Sequence, residues 1–373
     1  MPDSADLRFM TSALALARRG LGNVWPNPAV GCVIVRDGHV AGRGWTQPGG
    51  RPHAETEALA RAGEAALGAT AYVTLEPCSH HGRTGPCADA LAAAGIARVV
   101  VATGDPDPRV AGQGLARLEA AGVKVETGLL GDAARDLNLG FLTRIESGRP
   151  MVTLKLATSL DGRIAAHNGD SKWITGEDAR AAAHGLRATH DAVAVGLGTA
   201  AADDPHLTCR LPGLLRRPPV RIVFDSRLQL PLTRQVIARS GDAPTWIVTL
   251  TDTVNGPSAE RARAIEALGV TIVPVAASET GRISIAAALR AMGAAGLTRL
   301  LVEGGGRLAA AFLAEGLVDR LAIFRGPTVI GGDGIPAIAG LGLDRVADAP
   351  GFQLIEGRPV GIDRFELYRR LAA

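Results

Sequence analysis

The chain has 373 residues, 47% of them apolar and 21% charged, and a formal net charge of only +3. That length holds two hydrophobic cores, and the composition is that of an ordinary globular protein, which excludes a disordered or collagen-like chain. The arginines are scattered and form no basic run, which argues against nucleic acid as a partner.

In chain order, residues 5–19 are predicted as a helix from the spacing of Leu7, Met10, Leu14 and Ala17. Residues 30–35 form a short apolar strand, Arg36-Asp37-Gly38 a turn, and 40–45 the returning strand of a hairpin. A helix follows over 54–66, a strand over 71–75, a helix over 88–94, a strand over 98–102, a helix over 115–121 and a strand over 123–126. This alternation predicts a layered sheet with helices on both faces. Residues 145–150 are expected as a linker, which gives one domain over 1–146 and a second over 150–373. The second alternates again, with strands expected at 151–157, 191–195, 220–225, 245–250, 270–275, 299–303 and 319–324. Its helices are expected at 177–189, 257–268, 284–294 and 307–315. No basic-then-apolar leader and no long apolar run is present, so the cytoplasm is expected and a membrane span is not. Cys32, Cys78, Cys87 and Cys209 are then free thiols or metal ligands rather than disulfides.

The clearest chemistry lies in His53-Ala54-Glu55, Pro77-Cys78 and Cys87. One imidazole and two thiolates hold zinc at three positions and leave the fourth for water. Pro52 and Pro86 suit helix starts, so His53 and Cys87 are expected at helix N-termini. The dipole there favours the Glu55 carboxylate and the Cys87 thiolate. The general zinc-deaminase pattern is H-x-E with P-C-x-x-C. Here eight residues, Ser79 to Pro86, separate the cysteines. That loop leaves two other readings open: a closed structural zinc site that recruits His80 or His81, and metal-free core cysteines. Glu55 favours catalysis, because a structural site needs no proton shuttle. In that reading Glu55 takes a proton from zinc-activated water as the water attacks an amidine-like ring carbon. It then protonates the amine, which leaves as ammonia.

The run Pro-Cys-Ser-His-His-Gly-Arg-Thr-Gly-Pro-Cys at 77–87, with Asn27-Pro28-Ala29-Val30-Gly31, resembles the deaminase domain of the bifunctional riboflavin-biosynthesis deaminase/reductase family. The resemblance implies a cytidine-deaminase-like α/β/α domain with zinc on His53, Cys78 and Cys87 and Glu55 as proton donor. The implied substrate is 2,5-diamino-6-ribosylamino-4(3H)-pyrimidinone 5′-phosphate, which loses its 2-amino group. Asn27 stands open between a substrate contact and a turn residue before Pro28.

In the second domain, Lys155-Leu-Ala-Thr-Ser-Leu-Asp-Gly-Arg163 ends a strand and enters a turn. Ser171-Lys-Trp-Ile-Thr175, Gly198-Thr199, Ala202-Asp-Asp-Pro205 and Leu207-Thr-Cys-Arg210 follow, and Val302-Glu-Gly-Gly-Gly306 ends a strand and opens a helix. Polar residues and glycines at strand ends are where α/β sheets bind ligands. A glycine turn at a helix start sets amides on a pyrophosphate. Gly304-x-Gly306-x-x-Ala309 fits the dinucleotide fingerprint only formally, because Asp319 starts the next strand instead of ending it. Too little chain remains for a full Rossmann sheet, so a phosphate cradle is predicted without one.

This ordered set is similar to the reductase half of the same family, whose fold is dihydrofolate-reductase-like α/β. The resemblance implies NADPH-dependent reduction of ribosyl to ribityl after deamination. It puts NADP at Ala157, Trp173, Thr199, Asp203, Ser226 and the turn Gly305, Gly306, Arg307, Leu308, Ala309, Ala310 and Ala311. It puts substrate at Ser171, Arg187, Leu207, Arg210 and Glu303. The residue types suit this. Arg187 and Arg210 clamp a 5′-phosphate, Glu303 accepts from sugar hydroxyls, and Trp173 offers the cofactor a flat surface. The plain readings are a solvated helix face, a loop charge and a core side chain for Arg187, Arg210 and Trp173. Ser226 and Arg227 are expected near the cofactor 2′-phosphate, with a surface arginine as the alternative. Lys155 either approaches the ribose or packs in its strand. The expected partners are a phosphorylated pyrimidine and a second copy of the chain, with no nucleic acid and no membrane. The rival readings are a monofunctional deaminase, a nucleic-acid editor and a closed zinc protein.

Overall fold

Residues 31–36, Gly-Cys-Val-Ile-Val-Arg, are apolar on both sides of a strand, and both sides are covered in the structure. The computed structural model describes residues 4–81, 85–211, 213 and 217–371. It divides into two units, Met1–Gly148 and Arg149–Ala373. In the first, α1 (Ser4–Ala17) leads into the hairpin β1 (Gly31–Arg36) and β2 (His39–Trp45). Then come α2 (Ala54–Ala62), β3 (Thr70–Val73), α3 (Cys87–Ala93), β4 (Arg98–Val101) and α4 (Gln113–Ala120). The unit closes with β5 (Lys124–Thr127), α5 (Gly131–Leu137) and α6 (Leu139–Ser147). The sheet order is β2-β1-β3-β4-β5, antiparallel around β1 and parallel from β3 to β5.

Cys32 and Ile34 of β1 pack with Ala54, Ala58, Ala88 and Leu91, whereas Val33 and Val35 pack with Phe9, Met10, Ala13 and Leu137. A strand buried on both faces needs an unbroken apolar run, and the three α/β/α layers follow from it. Glycine lets α2 lie directly on the hairpin. A Cβ at Gly42 would be 2.1 Å from the Ala58 carbonyl oxygen, and one at Gly44 2.3 Å from that of Ala54. The facing side chains of α2 are the buried alanines 54, 58 and 62. This backbone-on-backbone seating fixes the start of α2, and with it His53 and Glu55.

The second unit runs β6 (Met151–Thr158), β7 (Arg163–Ala165), α7 (Glu177–Ala188), β8 (Ala192–Gly196), α8 (Leu197–Asp203) and β9 (Val220–Phe224). It continues with α9 (Gln235–Ala238), β10 (Thr245–Leu250), α10 (Thr251–Asn255), α11 (Ala259–Ala267), β11 (Thr271–Val275) and α12 (Ile285–Ala294). Last come β12 (Arg299–Val302), α13 (Gly306–Ala314), β13 (Arg320–Arg325), β14 (Ile335–Pro336), β15 (Phe352–Val360) and β16 (Asp363–Arg370). The large sheet has the order β11-β10-β9-β8-β12-β6-β13-β16-β15. It is parallel up to β13 and antiparallel beyond. The carboxyl ends of β8, β12 and β6 therefore lie side by side at one edge, where ligands bind in such sheets.

One expectation is corrected, and some elements were missed. Residues 145–147, expected in a linker, are the last turn of α6, and α5 and α6 were not anticipated. The β15–β16 hairpin was also missed. Its first strand is exposed along most of its length and so carries no apolar alternation to detect.

Candidate active sites

His53 is the N-cap of α2, and Cys87 opens α3 behind Pro86. Cys78 lies beyond β3, and its sulfur accepts the Cys87 amide at 3.3 Å. His53 Nδ1 lies 3.3 Å from Cys87 Sγ and 3.6 Å from Cys78 Sγ, and the three donor atoms all fall within 4.8 Å of one another. Bonds of about 2.0 Å to nitrogen and about 2.3 Å to sulfur set the ligands of a tetrahedral zinc roughly 3.5–3.8 Å apart, so both spacing and donor chemistry fit the ion. The hydrogen bond between the two thiols pulls Cys78 down to about 4 and, with burial, pushes Cys87 up. The group thus keeps a thiolate at neutral pH. Glu55 is 3% exposed, and burial pushes its carboxyl up to about 7 against the pull of His53. Cys32 is a core thiol of β1, raised by burial, and stands outside the group.

A cavity of about 530 Å³ is lined by His53, Glu55, Asn27, His80, Asp105 and Arg109, among others. His80 and His81 both line it, but among the described residues neither joins the three-donor group. Asn27 faces the cavity with its amide packed on Gly50, where a Cβ would be 1.8 Å from Nδ2. The sequence reading missed Glu76. Its buried carboxylate accepts the amides of Gly114 at 2.9 Å and Gly112 at 3.1 Å, and those of Asp105 and Leu115 at 3.4 Å. It ties down the segment that brings Asp105, Asp107 and Arg109 to the cavity wall. A carboxylate directly before Pro77-Cys78 was the available signal.

In the second unit Glu303, just after β12, receives Arg187 Nε at 2.6 Å and Nη2 at 2.9 Å. Lys155 Nζ lies 3.7 Å from the same carboxylate. Burial raises the Glu303 pKa, but Arg187 and Lys155 outweigh it and hold the group at about 2. These three line a cavity of about 420 Å³ together with Ala157, Trp173 and Arg210. Arg187 Nη1 also donates to the Thr208 carbonyl at 3.0 Å. Arg187 is therefore largely occupied in fixing Glu303, and the exposed Arg210 is the freer cation. Trp173 is 68% exposed under the Arg180 guanidinium, so it is a surface side chain of this cavity and not a core one. Arg180 and His184 also line this cavity and were missed. Their spacing with Arg187 on one helix (i, i+4, i+7) was the signal.

The remaining residues fall elsewhere. Thr199 Oγ1 accepts the Gly305 amide at 3.2 Å, which joins the start of α8 to the glycine turn. Gly306 approaches the chain so closely that a Cβ would be 2.6 Å from the Pro336 oxygen. Gly306 and Arg307 amides stand in a first helical turn without intrahelical acceptors, which fits a cofactor phosphate. Leu308 and Ala311 are half-buried on the same helix. Ala309 and Ala310 are buried, so only their backbone is available there. Leu207 is buried beside Val193 and Val195 and likewise offers only backbone. Asp203 is exposed at the end of α8, and Ser171 is half-buried ahead of Trp173. The Ser226 carbonyl takes the hydroxyls of Thr249 and Thr253, and Arg227 is exposed beside it. Asp319 precedes β13 and is held by Arg149 and the Val152 amide, so it has no ribose role.

Residues 3–103 match the cytidine and deoxycytidylate deaminase zinc-binding region, and residues 150–361 match the RibD C-terminal domain. Riboflavin biosynthesis protein RibD of Escherichia coli (strain K12) is 43% identical, over 96% of this chain and 97% of that protein. Acinetobacter baumannii RibD has a similar solved structure, with a TM-score of 0.87 and 37% identity over 99% of each chain. A Thermotoga maritima structure described as a diaminohydroxyphosphoribosylaminopyrimidine deaminase/5-amino-6-(5-phosphoribosylamino)uracil reductase gives 0.85 at 34% identity, over 98% of this chain and 99% of that one. Likeness of this extent runs through both units, and the chain belongs to the RibD family of riboflavin biosynthesis proteins.

Proposed function

We propose that this chain is a bifunctional enzyme of riboflavin biosynthesis, a zinc hydrolase and an NADPH-dependent oxidoreductase. The domain over 1–146 deaminates 2,5-diamino-6-ribosylamino-4(3H)-pyrimidinone 5′-phosphate. The domain over 150–373 reduces the ribosyl group of the product to ribityl, giving 5-amino-6-ribitylamino-uracil 5′-phosphate. One juxtaposition carries the reading: a three-donor metal group with the buried carboxylate of Glu55 lining the same open cavity.

Zinc would be held by His53, Cys78 and Cys87, and it would supply an acidified water as the nucleophile. Glu55, buried and lining the same cavity, takes a proton and returns it to the departing amine. In the reductase domain NADPH supplies the hydride. The protein's part is orientation. Glu303, ionised and fixed by Arg187, accepts from the sugar hydroxyls, and Lys155 stands beside it. Arg210 meets the 5′-phosphate. Ala157, Trp173, Thr199, Asp203, Ser226 and the turn 305–311 are assigned to the cofactor, and Ser171 and the Leu207 backbone to substrate. We also propose a homo-oligomer, supported by the open edge of β15 with Leu354 and Ile355 exposed. The cytoplasm is the proposed location. Among the described residues no helix is long and apolar enough to cross a membrane, and a reducing compartment suits four free thiols.

The test follows ammonia release and NADPH oxidation separately in purified zinc-loaded protein. Glu55→Gln is expected to retain zinc and reduction of the deaminated substrate while losing ammonia release. Full ammonia release by that variant ends the assignment of Glu55, and no NADPH oxidation by the native protein leaves only a deaminase.

A further inference from the structure

Arg180, His184 and Arg187 lie on one face of α7 and line the same cavity as Arg210. The His184 ring is poorly matched to its neighbours. Its Nδ1 faces the backbone amide of Arg210 at 3.3 Å, and its Nε2 lies 3.3 Å from Arg210 Nη2. Both neighbours are N–H donors. A neutral imidazole has one N–H and one lone pair. With the lone pair on Nδ1, the Arg210 amide is accepted and Nε2–H faces the guanidinium. The other tautomer accepts the guanidinium and sets Nδ1–H against the amide. Either way the ring accepts only one of the two Arg210 donors, and a protonated ring accepts neither. Burial first, then Arg187 and Arg210, hold the imidazole below its usual pKa, against Glu303 and the Thr208 carbonyl. These influences favour the neutral ring, which leaves one Arg210 donor that it does not accept. An oxyanion between Nε2 and the guanidinium resolves it, because both groups then donate to the anion.

We propose that His184 and Arg210 together bind the phosphate of the reductase substrate, and that His184 makes this domain selective for a phosphorylated sugar. This rests on the reading that the domain reduces a phosphorylated pyrimidine in this cavity. The plain alternative is that His184 only fastens the chain at Arg210 through the amide bond. That role is indifferent to whether the substrate carries phosphate.

The experiment uses the full zinc-loaded chain, with the deaminated nucleotide and its dephosphorylated riboside as substrates and inorganic phosphate as a competitor. His184→Leu removes the donor, whereas His184→Gln keeps one. Loss of one charge-assisted hydrogen bond raises KM for the nucleotide roughly tenfold and weakens phosphate inhibition as much. The kcat changes far less, kcat/KM for the riboside stays within about twofold, and His184→Gln recovers part of the loss. Titration calorimetry of the nucleotide without NADPH shows the same weakening. Ammonia release by the first domain reports that the variant is folded, and His184→Gln decides if His184→Leu is not. Equal losses with nucleotide and riboside, or an unchanged nucleotide KM, overturn the proposal. Arg210→Ala separates the two levels. If it discriminates between the substrates and His184→Leu does not, only the role of His184 fails. If neither discriminates, phosphate is not bound here and the underlying reading fails with it.

Discussion

Replacing Glu76 by alanine will disable the deaminase domain without touching a metal ligand. Two of its four amide bonds, at 2.9 and 3.1 Å, are well made, whereas the two at 3.4 Å are weak. A buried donor left without its acceptor costs about 1–3 kcal/mol. The buried Gly114 amide carries that cost, and the exposed Gly112 adds the roughly 0.5–1.5 kcal/mol of an ordinary bond, which puts the loss at about 1.5–4.5 kcal/mol, concentrated on residues 105–115, which carry part of the cavity wall. The zinc donors come instead from the starts of α2 and α3 and the end of β3. Hydrogen exchange read by mass spectrometry is expected to speed up at least roughly tenfold at Gly112, Gly114 and Leu115, the factor that matches about 1.4 kcal/mol. Ammonia release falls at least about tenfold, zinc content holds, and NADPH oxidation with the deaminated substrate is unchanged. Glu76→Gln keeps one acceptor oxygen and falls between. Unaltered exchange at those amides together with full ammonia release would refute the claim that this carboxylate holds the wall.

Two further outcomes concern the reductase domain. Arg187→Ala leaves Glu303 buried with only Lys155 for company, a loss of about 3–5 kcal/mol. In the native domain the Glu303 pKa is held below its unfolded value, so its contribution is present above the unfolded pKa and fades in acid. In the variant burial prevails, the folded pKa rises, and the penalty grows as pH rises. The native-minus-variant difference in Tm is expected to be larger at pH 7.5 than at pH 5, and the reverse order refutes this. His190 is buried, donates from Nδ1 to the Leu186 carbonyl at 2.7 Å, and accepts the Thr153 hydroxyl at Nε2 at 2.8 Å. Burial lowers its pKa to about 3, so below its unfolded value only the unfolded chain gains the proton. Stability is lost as pH falls, by roughly 2 kcal/mol between pH 6.5 and 5. His190→Gln flattens that slope in urea unfolding, and a difference between the two proteins that is equal at both pH values contradicts it.

Residue type and local spacing were enough to bring out the metal group, because zinc chemistry demands imidazole and thiolate and because Pro52 and Pro86 mark helix starts. The doubly covered strands were legible for a similar reason, since β1 has to be apolar at every inner position. Asn138 illustrates what was not legible. It interrupts an apolar helical pattern between α5 and α6, and it does so to exchange two hydrogen bonds with Ala29, 109 residues away. Trp173 is another case: the same ring suits a core or a surface, and only the packed structure decides that it is exposed. Leu207, expected at the substrate, points its side chain into the core. Arg187 and Arg210 were alike in the sequence, yet one is taken up by Glu303 and the other stays exposed beside His184. The chain by itself determined which chemistries its side chains can perform and which segments alternate between helix and strand, because both depend on residue type and near neighbours. Tertiary structure alone decided which charges pair, which carboxylate is buried and which ring is exposed, because those depend on groups brought together from distant parts of the chain as the cores pack.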